Sequence, residues 1–113
     1  MSVIDLTSGP RFETLTVEEH DRLRVILRGE LDLASVTEAQ QEIRSALTAS
    51  EQVAVDLSDL SLIDSTGVRL LIETERDARA RSRVLAIRRG CDEVQRVLEL
   101  TGAAERLPFE AES

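Results

Sequence analysis

From residue 12 to residue 18 apolar and polar side chains alternate, the period of a strand with one face buried. A polar turn, Glu19-His20-Asp21, leads to an apolar stretch at 23–27, and the two stretches pair most simply as an antiparallel hairpin. Residues 28–33, Arg-Gly-Glu-Leu-Asp-Leu, read as a loop carrying two acids and two leucines. The period then changes. Val36, Ala39, Ile43, Ala46 and Leu47 recur at helical spacing, while Gln40, Gln41 and Arg44 fall on the other face. Ser35 and Glu38 have the spacing of a capping box at the start of this helix.

Residues 53–57 form a short apolar run, as expected of a strand buried on both faces. A strand, a helix and a further strand are wired most easily as a right-handed crossover, which makes this strand parallel to a neighbour. A short turn of mixed polarity follows, and a second helix begins near Ser65. Its buried face takes Gly67, Leu70, Leu71, Thr74 and Ala78, with Arg69, Glu73 and Arg76 opposite and Val68 and Ile72 at the edges. The basic run Arg79-Ala80-Arg81-Ser82-Arg83 closes the helix, where cations suit the helix dipole.

Residues 84–87 read as another buried strand, followed by the turn Arg88-Arg89-Gly90. The last helix runs through Val94, Val97, Leu98 and Leu100, with Asp92 as its N-cap and Gly102 ending it. Leu107-Pro108-Phe109 adds a final apolar contact. Residues 1–11 read as a flexible leader, 12–109 as one domain and 110–113 as an acidic tail that frays. The order of elements predicts an α/β fold: a mixed sheet of four to five strands with helices packed largely on one side.

Composition narrows what such a domain does. A chain of 113 residues makes one domain, and with aromatics at 2% its core is built from Leu, Val, Ile and Ala. The net charge of −8, from 14 arginines and no lysine against 22 acids, opposes a phosphate backbone, and stacking surfaces are lacking. Nucleic acid is therefore not expected as a partner. Cys91 has no cysteine to pair with, which suits a reducing cytoplasm, and one His with one Cys does not make a zinc site. His20 reads as a solvated turn residue. No run approaches the ~18 apolar residues of a membrane span.

The candidate chemistry lies at Asp64-Ser65-Thr66-Gly67, where a strand hands over to a helix. Hydroxyls there are exposed and adjoin the unpaired N–H groups of a helix N-terminus. A phosphate added at this point is favoured by the dipole by roughly 0.3–1 kcal/mol, so the fold tolerates it and a partner can read it. The plainer reading of Ser65 is an ordinary helix cap. Gly67 brings the backbone close to whatever faces it.

Four segments together resemble the STAS domain, and more narrowly the bacterial anti-sigma factor antagonists: 28–33, Val55-Asp56-Leu57-Ser58, Ile63-Asp64-Ser65-Thr66-Gly67 and Val97-Leu98-Glu99-Leu100-Thr101-Gly102. The resemblance runs from residue 12 to residue 109. It implies a cytoplasmic regulator of transcription by partner switching, in stress response or sporulation. It also implies a STAS-type sheet, no catalytic activity, no cofactor and no metal. The unphosphorylated form would bind an anti-sigma factor with a GHKL-type serine kinase domain and free a sigma factor. Phosphorylation at Ser65, with Thr66 as a lesser acceptor, would release the kinase, and a serine phosphatase would reset the protein. The implied partner-binding residues are Asp32, Asp64, Ser65, Thr66, Gly67, Val68, Arg69 and Ile72, on a monomer or weak dimer. Val68-Arg69 departs from the leucine and glycine frequent in relatives. The alternative is a STAS scaffold subunit of a stressosome-like or lipid-transport assembly. An enzyme is not expected: there is no phosphate-binding Gly-Lys-Ser/Thr loop and no histidine beside a nucleophile.

Overall fold

Eight elements follow one another in the computed structural model, which describes residues 11–111. The strands are β1 (Phe12–Glu19), β2 (Arg22–Leu31), β3 (Gln52–Ile63) and β4 (Val84–Arg88). The helices are α1 (Val36–Ala49), α2 (Ser65–Ala80) and α3 (Asp92–Leu100), followed by a 3-10 turn at Ala103–Glu105. The strands lie in the order β1-β2-β3-β4, with β1 antiparallel to β2 and the other pairs parallel. The hairpin turns tightly through His20, whose φ of 55° is tolerated better by His than by branched residues. All but the last residue of the expected leader, and the last two of the tail, lie outside the described residues.

Register divides the sheet into two faces. Leu23, Val25 and Leu27 of β2 share a face with Val53 and Val55 of β3 and Leu85 and Ile87 of β4. That face joins the buried residues of all three helices in one core, including Ile43, Leu47, Leu71, Val94 and Leu98. Each fully buried Leu or Ile contributes about 1.5–3 kcal/mol. The expectation of helices gathered on one side of a mixed sheet therefore holds.

The opposite face carries charges. Arg24, 8% exposed, reaches Glu19 at 2.8 Å, Glu110 at 3.1 Å and Asp56 at 3.4 Å. Arg28 joins Glu13 and Asp59, both at 3.3 Å, and Arg22 joins Glu19 and Glu110. Glu110 also donates its N–H to Ile87 O, so the tail is pinned at its first residue rather than frayed there. The Arg24 and Arg22 guanidiniums hold the Glu19 carboxyl well below its ordinary range, at about 2.

Several local expectations are corrected. β2 continues through residues 28–31, and β3 continues through 58–63, where a loop and a turn were expected. The reason is a pair of register shifts, between Ile26 and Arg28 and between Gly29 and Glu30, each placing an extra residue in β3. Leu57, Leu60 and Ile63 are consequently buried at three-residue spacing, which hides the two-residue period of a strand. Ser35 precedes α1 but makes no side-chain cap, because its hydroxyl is turned back to the preceding loop, where it accepts from Asp32 N at 3.0 Å and donates to Glu30 O at 2.7 Å, so no capping box forms. Cys91, not Asp92, is the N-cap of α3. β4 is an edge strand with Val84 62% exposed rather than a buried one, and Leu100 is 77% exposed. Gly102 does end α3, with φ +80°.

Candidate functional site at the start of helix α2

Asp64 leaves β3 in extended conformation and caps α2. Its Oδ1 accepts from Thr66 N at 2.9 Å, Gly67 N at 3.1 Å and the Thr66 hydroxyl at 2.6 Å. Partial burial pushes the Asp64 carboxyl up, but the Thr66 hydroxyl and the N–H groups of Gly67, Thr66 and Leu33 outweigh it, so the net direction is down. The carboxylate is therefore charged at neutral pH. Two of the N–H groups expected to stand unpaired at this helix end are already taken by it.

Ser65 is the first residue of α2, not its cap, and is exposed. Thr66 is less accessible, and its hydroxyl is committed to Asp64. Of the two hydroxyls, Ser65 is the one a second protein can reach. Gly67 is buried: a Cβ there would lie 2.7 Å from Ile63 Cγ1 and 2.9 Å from Leu31 O. It acts by letting α2 lie against the ends of β2 and β3, and it offers no surface to a partner. Asp64 N–H donates to Leu31 O at 3.1 Å, tying the same junction together.

The loop between β2 and α1 closes one flank. Asp32 turns its Oδ1 inward to Ala34 N at 3.0 Å, and its Oδ2 stands 3.8 Å from Arg11. Leu33, next to it, leaves its side chain 74% exposed. A groove of about 260 Å³ runs between this loop and α2, lined by Leu33, Val36, Thr66 and Arg69 among others. On the other flank a groove of about 540 Å³ is lined by Ser65, Val68, Arg69, Ile72, Arg76 and Thr101 among others. Arg69 is the ridge between the two.

The structure thus gathers Ser65, Thr66, Val68, Arg69 and Ile72 around one edge, with Asp64 as its inner support. Sequence reasoning missed Leu33, Arg76 and Thr101 as parts of this surface. Leu33 had a signal, an apolar residue in a polar loop with no partner in the period of either neighbour; Thr101 had none, since only the docking of α3 beside α2 brings it there. Among the described residues Arg69 and Arg76 form no ion pair. No group of His, Cys, Asp and Glu able to hold a metal occurs among the described residues, and no helix there is long and apolar enough to cross a membrane.

Comparison with known proteins bears on this arrangement. The family model described as "Mlab, STAS domain" matches residues 15–108. Among solved structures, an anti-sigma factor antagonist from Mycobacterium paratuberculosis superposes with a TM-score of 0.82 at 20% identity, covering 93% of this chain and 91% of that one. The anti-sigma factor antagonist SpoIIAA in its unphosphorylated form gives 0.71 at 21% identity, over 88% of this chain and 90% of its own. RsbS of Moorella thermoacetica, carrying the substitution S58E, gives 0.69 at 24% identity, over 91% and 88%. At these identities the likeness is one of fold.

Proposed function

The chain belongs to the STAS domain family, and from that premise we propose that it is an anti-sigma factor antagonist switched at Ser65. In its unmodified form it binds an anti-sigma factor that is also a GHKL-type serine kinase, and so frees a sigma factor. The kinase transfers the γ-phosphoryl group of ATP to Ser65. The Ser65 Oγ–P bond forms as the bond to ADP breaks, and the hydroxyl proton passes to a base on the kinase. A serine phosphatase hydrolyses the ester and resets the switch.

The observation that carries this reading is the exposed Ser65 hydroxyl, set between a charged cap and a groove with an apolar floor of Val68 and Ile72. Phosphorylation there adds about −1.5 to −2 charge beside Asp64. Buried in an interface, such a charge is costly even where one cation offsets part of it, and each ~1.4 kcal/mol lost is tenfold in affinity. The domain itself has no reason to unfold, since Ser65 supports no part of the core. The structures of an unphosphorylated and a phosphorylated SpoIIAA, both of this fold, agree with that.

The test is a parallel affinity capture from the native bacterium with wild type, Ser65→Ala and Ser65→Glu as baits. A GHKL-type kinase retained by the first two and lost by the third is the expected outcome. Retention by all three places the control elsewhere, and recovery of transporter or scaffold subunits in its place overturns the antagonist reading.

A further inference from the structure

The destination of a phosphate on Ser65 follows from what already occupies its surroundings. The usual place for an anion at a helix start is on the free N–H groups of the first turn. Here Asp64 Oδ1 already accepts from the N–H groups of Thr66 and Gly67, and Asp64 O accepts from Val68 N at 3.0 Å. A phosphate competing for those donors also meets the charged Asp64 carboxylate. The cap that builds the helix therefore turns the phosphate away from it.

One turn further along stands Arg69. Residues four apart on a helix bring their Cβ atoms within about 5–6 Å, and a long guanidinium side chain spans the remainder. Arg69 is exposed, lines the same groove as Ser65, and forms no ion pair among the described residues. The nearest acid on its own helix face, Glu73, lies one turn beyond and is not bonded to it. A guanidinium meets a phosphate in a two-pronged, charge-assisted geometry that no neutral donor matches.

We propose that Arg69 is the intramolecular receptor of the Ser65 phosphate, drawing it along α2 across the mouth of the groove. This rests on the reading of Ser65 as the modified residue. Modification then has two effects at once. It adds bulk and negative charge at the groove, and it withdraws the cation that forms the ridge between both grooves. The pair keeps a net negative charge at the groove, and the guanidinium is no longer free for a partner's acids. Arg69 is a positioning residue here and takes no part in transferring the phosphate.

The experiment installs phosphoserine at position 65 during translation and follows its 31P resonance through the second ionisation, at about 6 for a free phosphoserine. Wild type is compared with Arg69→Ala and Arg69→Lys at low salt. Pairing with the guanidinium lowers this pKa, so wild type titrates about half a unit below Arg69→Ala, roughly a threefold difference in the ionisation constant. Arg69→Lys recovers part of the difference, and about 1 M salt removes it. Identical titration of wild type and Arg69→Ala overturns the proposal. So does an amide shift at Ser65 or Thr66 that tracks the phosphate equally in both, because the phosphate then sits on the helix N-terminus. No partner is present in the tube, so failure here is separate from failure of partner release. Arg69 is exposed and alanine is the better helix former, so the variant folds.

Discussion

Arg24 and Arg69 are the same residue type in opposite circumstances. Arg24 lies on the sheet face away from the helices, 8% exposed, and reaches three carboxylates. Arg69 lies on the outer face of α2, exposed, and reaches none among the described residues. The first set of charges is closed on itself: Glu19, Asp56 and Glu110 come from a strand end, a central strand and the chain's tail, and one guanidinium joins them. The second is open, with Arg69 and Arg76 beside the apolar residues Val68 and Ile72. A paired, buried charge becomes costly to the fold once its partner is removed. Unpaired charges at the rim of an apolar groove are surface held ready for something else.

Removing one cation from each region tests the contrast most sharply. Arg24→Ala leaves the nearly buried Asp56 without its close cation and leaves Glu19 and Glu110 to share Arg22 alone, and we expect a loss of about 3 kcal/mol in urea unfolding. Arg69→Ala changes stability by less than about 0.5 kcal/mol in the same measurement while altering partner affinity. Equal losses in the two variants would remove the distinction.

A smaller effect is expected beneath the Ser65 edge, at the junction of α2 with the ends of β2 and β3. Gly67→Ala places a methyl group 2.7 Å from Ile63 Cγ1 and 2.9 Å from both Leu31 Cγ and Leu31 O. The backbone oxygen cannot turn aside as a side chain does, so α2 must shift. The cost is about 1–3 kcal/mol by thermal or urea unfolding, and the α2 amide resonances move most. A neutral result would mean that the helix start tolerates displacement, and that the Ser65 edge is less rigidly placed than its contacts imply.

The pH dependence is gentler and sharpens the contrast from the acid side. Glu19 is held at about 2 in the folded protein against 4.5 ordinarily. A carboxyl lowered on folding stabilises fully above its unfolded value, and that stabilisation is lost as pH falls through the folded one. Stability therefore declines between these two values, and Arg24→Ala flattens the decline because its guanidinium is the first cause of the shift. Arg69→Ala leaves the acid limb unchanged. Urea midpoints across this range measure all three proteins.

Helices were the legible part of the fold. The buried faces of α1 and α2 follow from apolar spacing at Ala39, Ile43, Ala46 and Leu47 and at Gly67, Leu70, Leu71, Thr74 and Ala78, all of which are buried. Strand ends were not legible. The extra residues that β3 carries against β2 break the two-residue period between Leu57 and Ile63, and a register shift is a property of a pair of strands. Caps failed for a similar reason. Ser35 has the right chemistry for capping, but Asp32 N and Glu30 O draw its hydroxyl back into the preceding loop. At α2 it is Asp64 that caps and Ser65 that is released to the surface.

By itself the sequence determined the local matters: which segments are amphipathic, where a small polar cluster meets a helix start, and that the core has to be aliphatic. These depend on residues near one another along the chain. Tertiary structure alone decided that Arg24 finds Glu110, 86 residues away, that Leu33 and Thr101 flank Ser65, and that Arg69 is left without a partner among the described residues. The reason is that ion pairing and groove formation depend on distances between side chains carried by separate elements. Those distances exist only once the sheet register and the docking of α2 and α3 are in place.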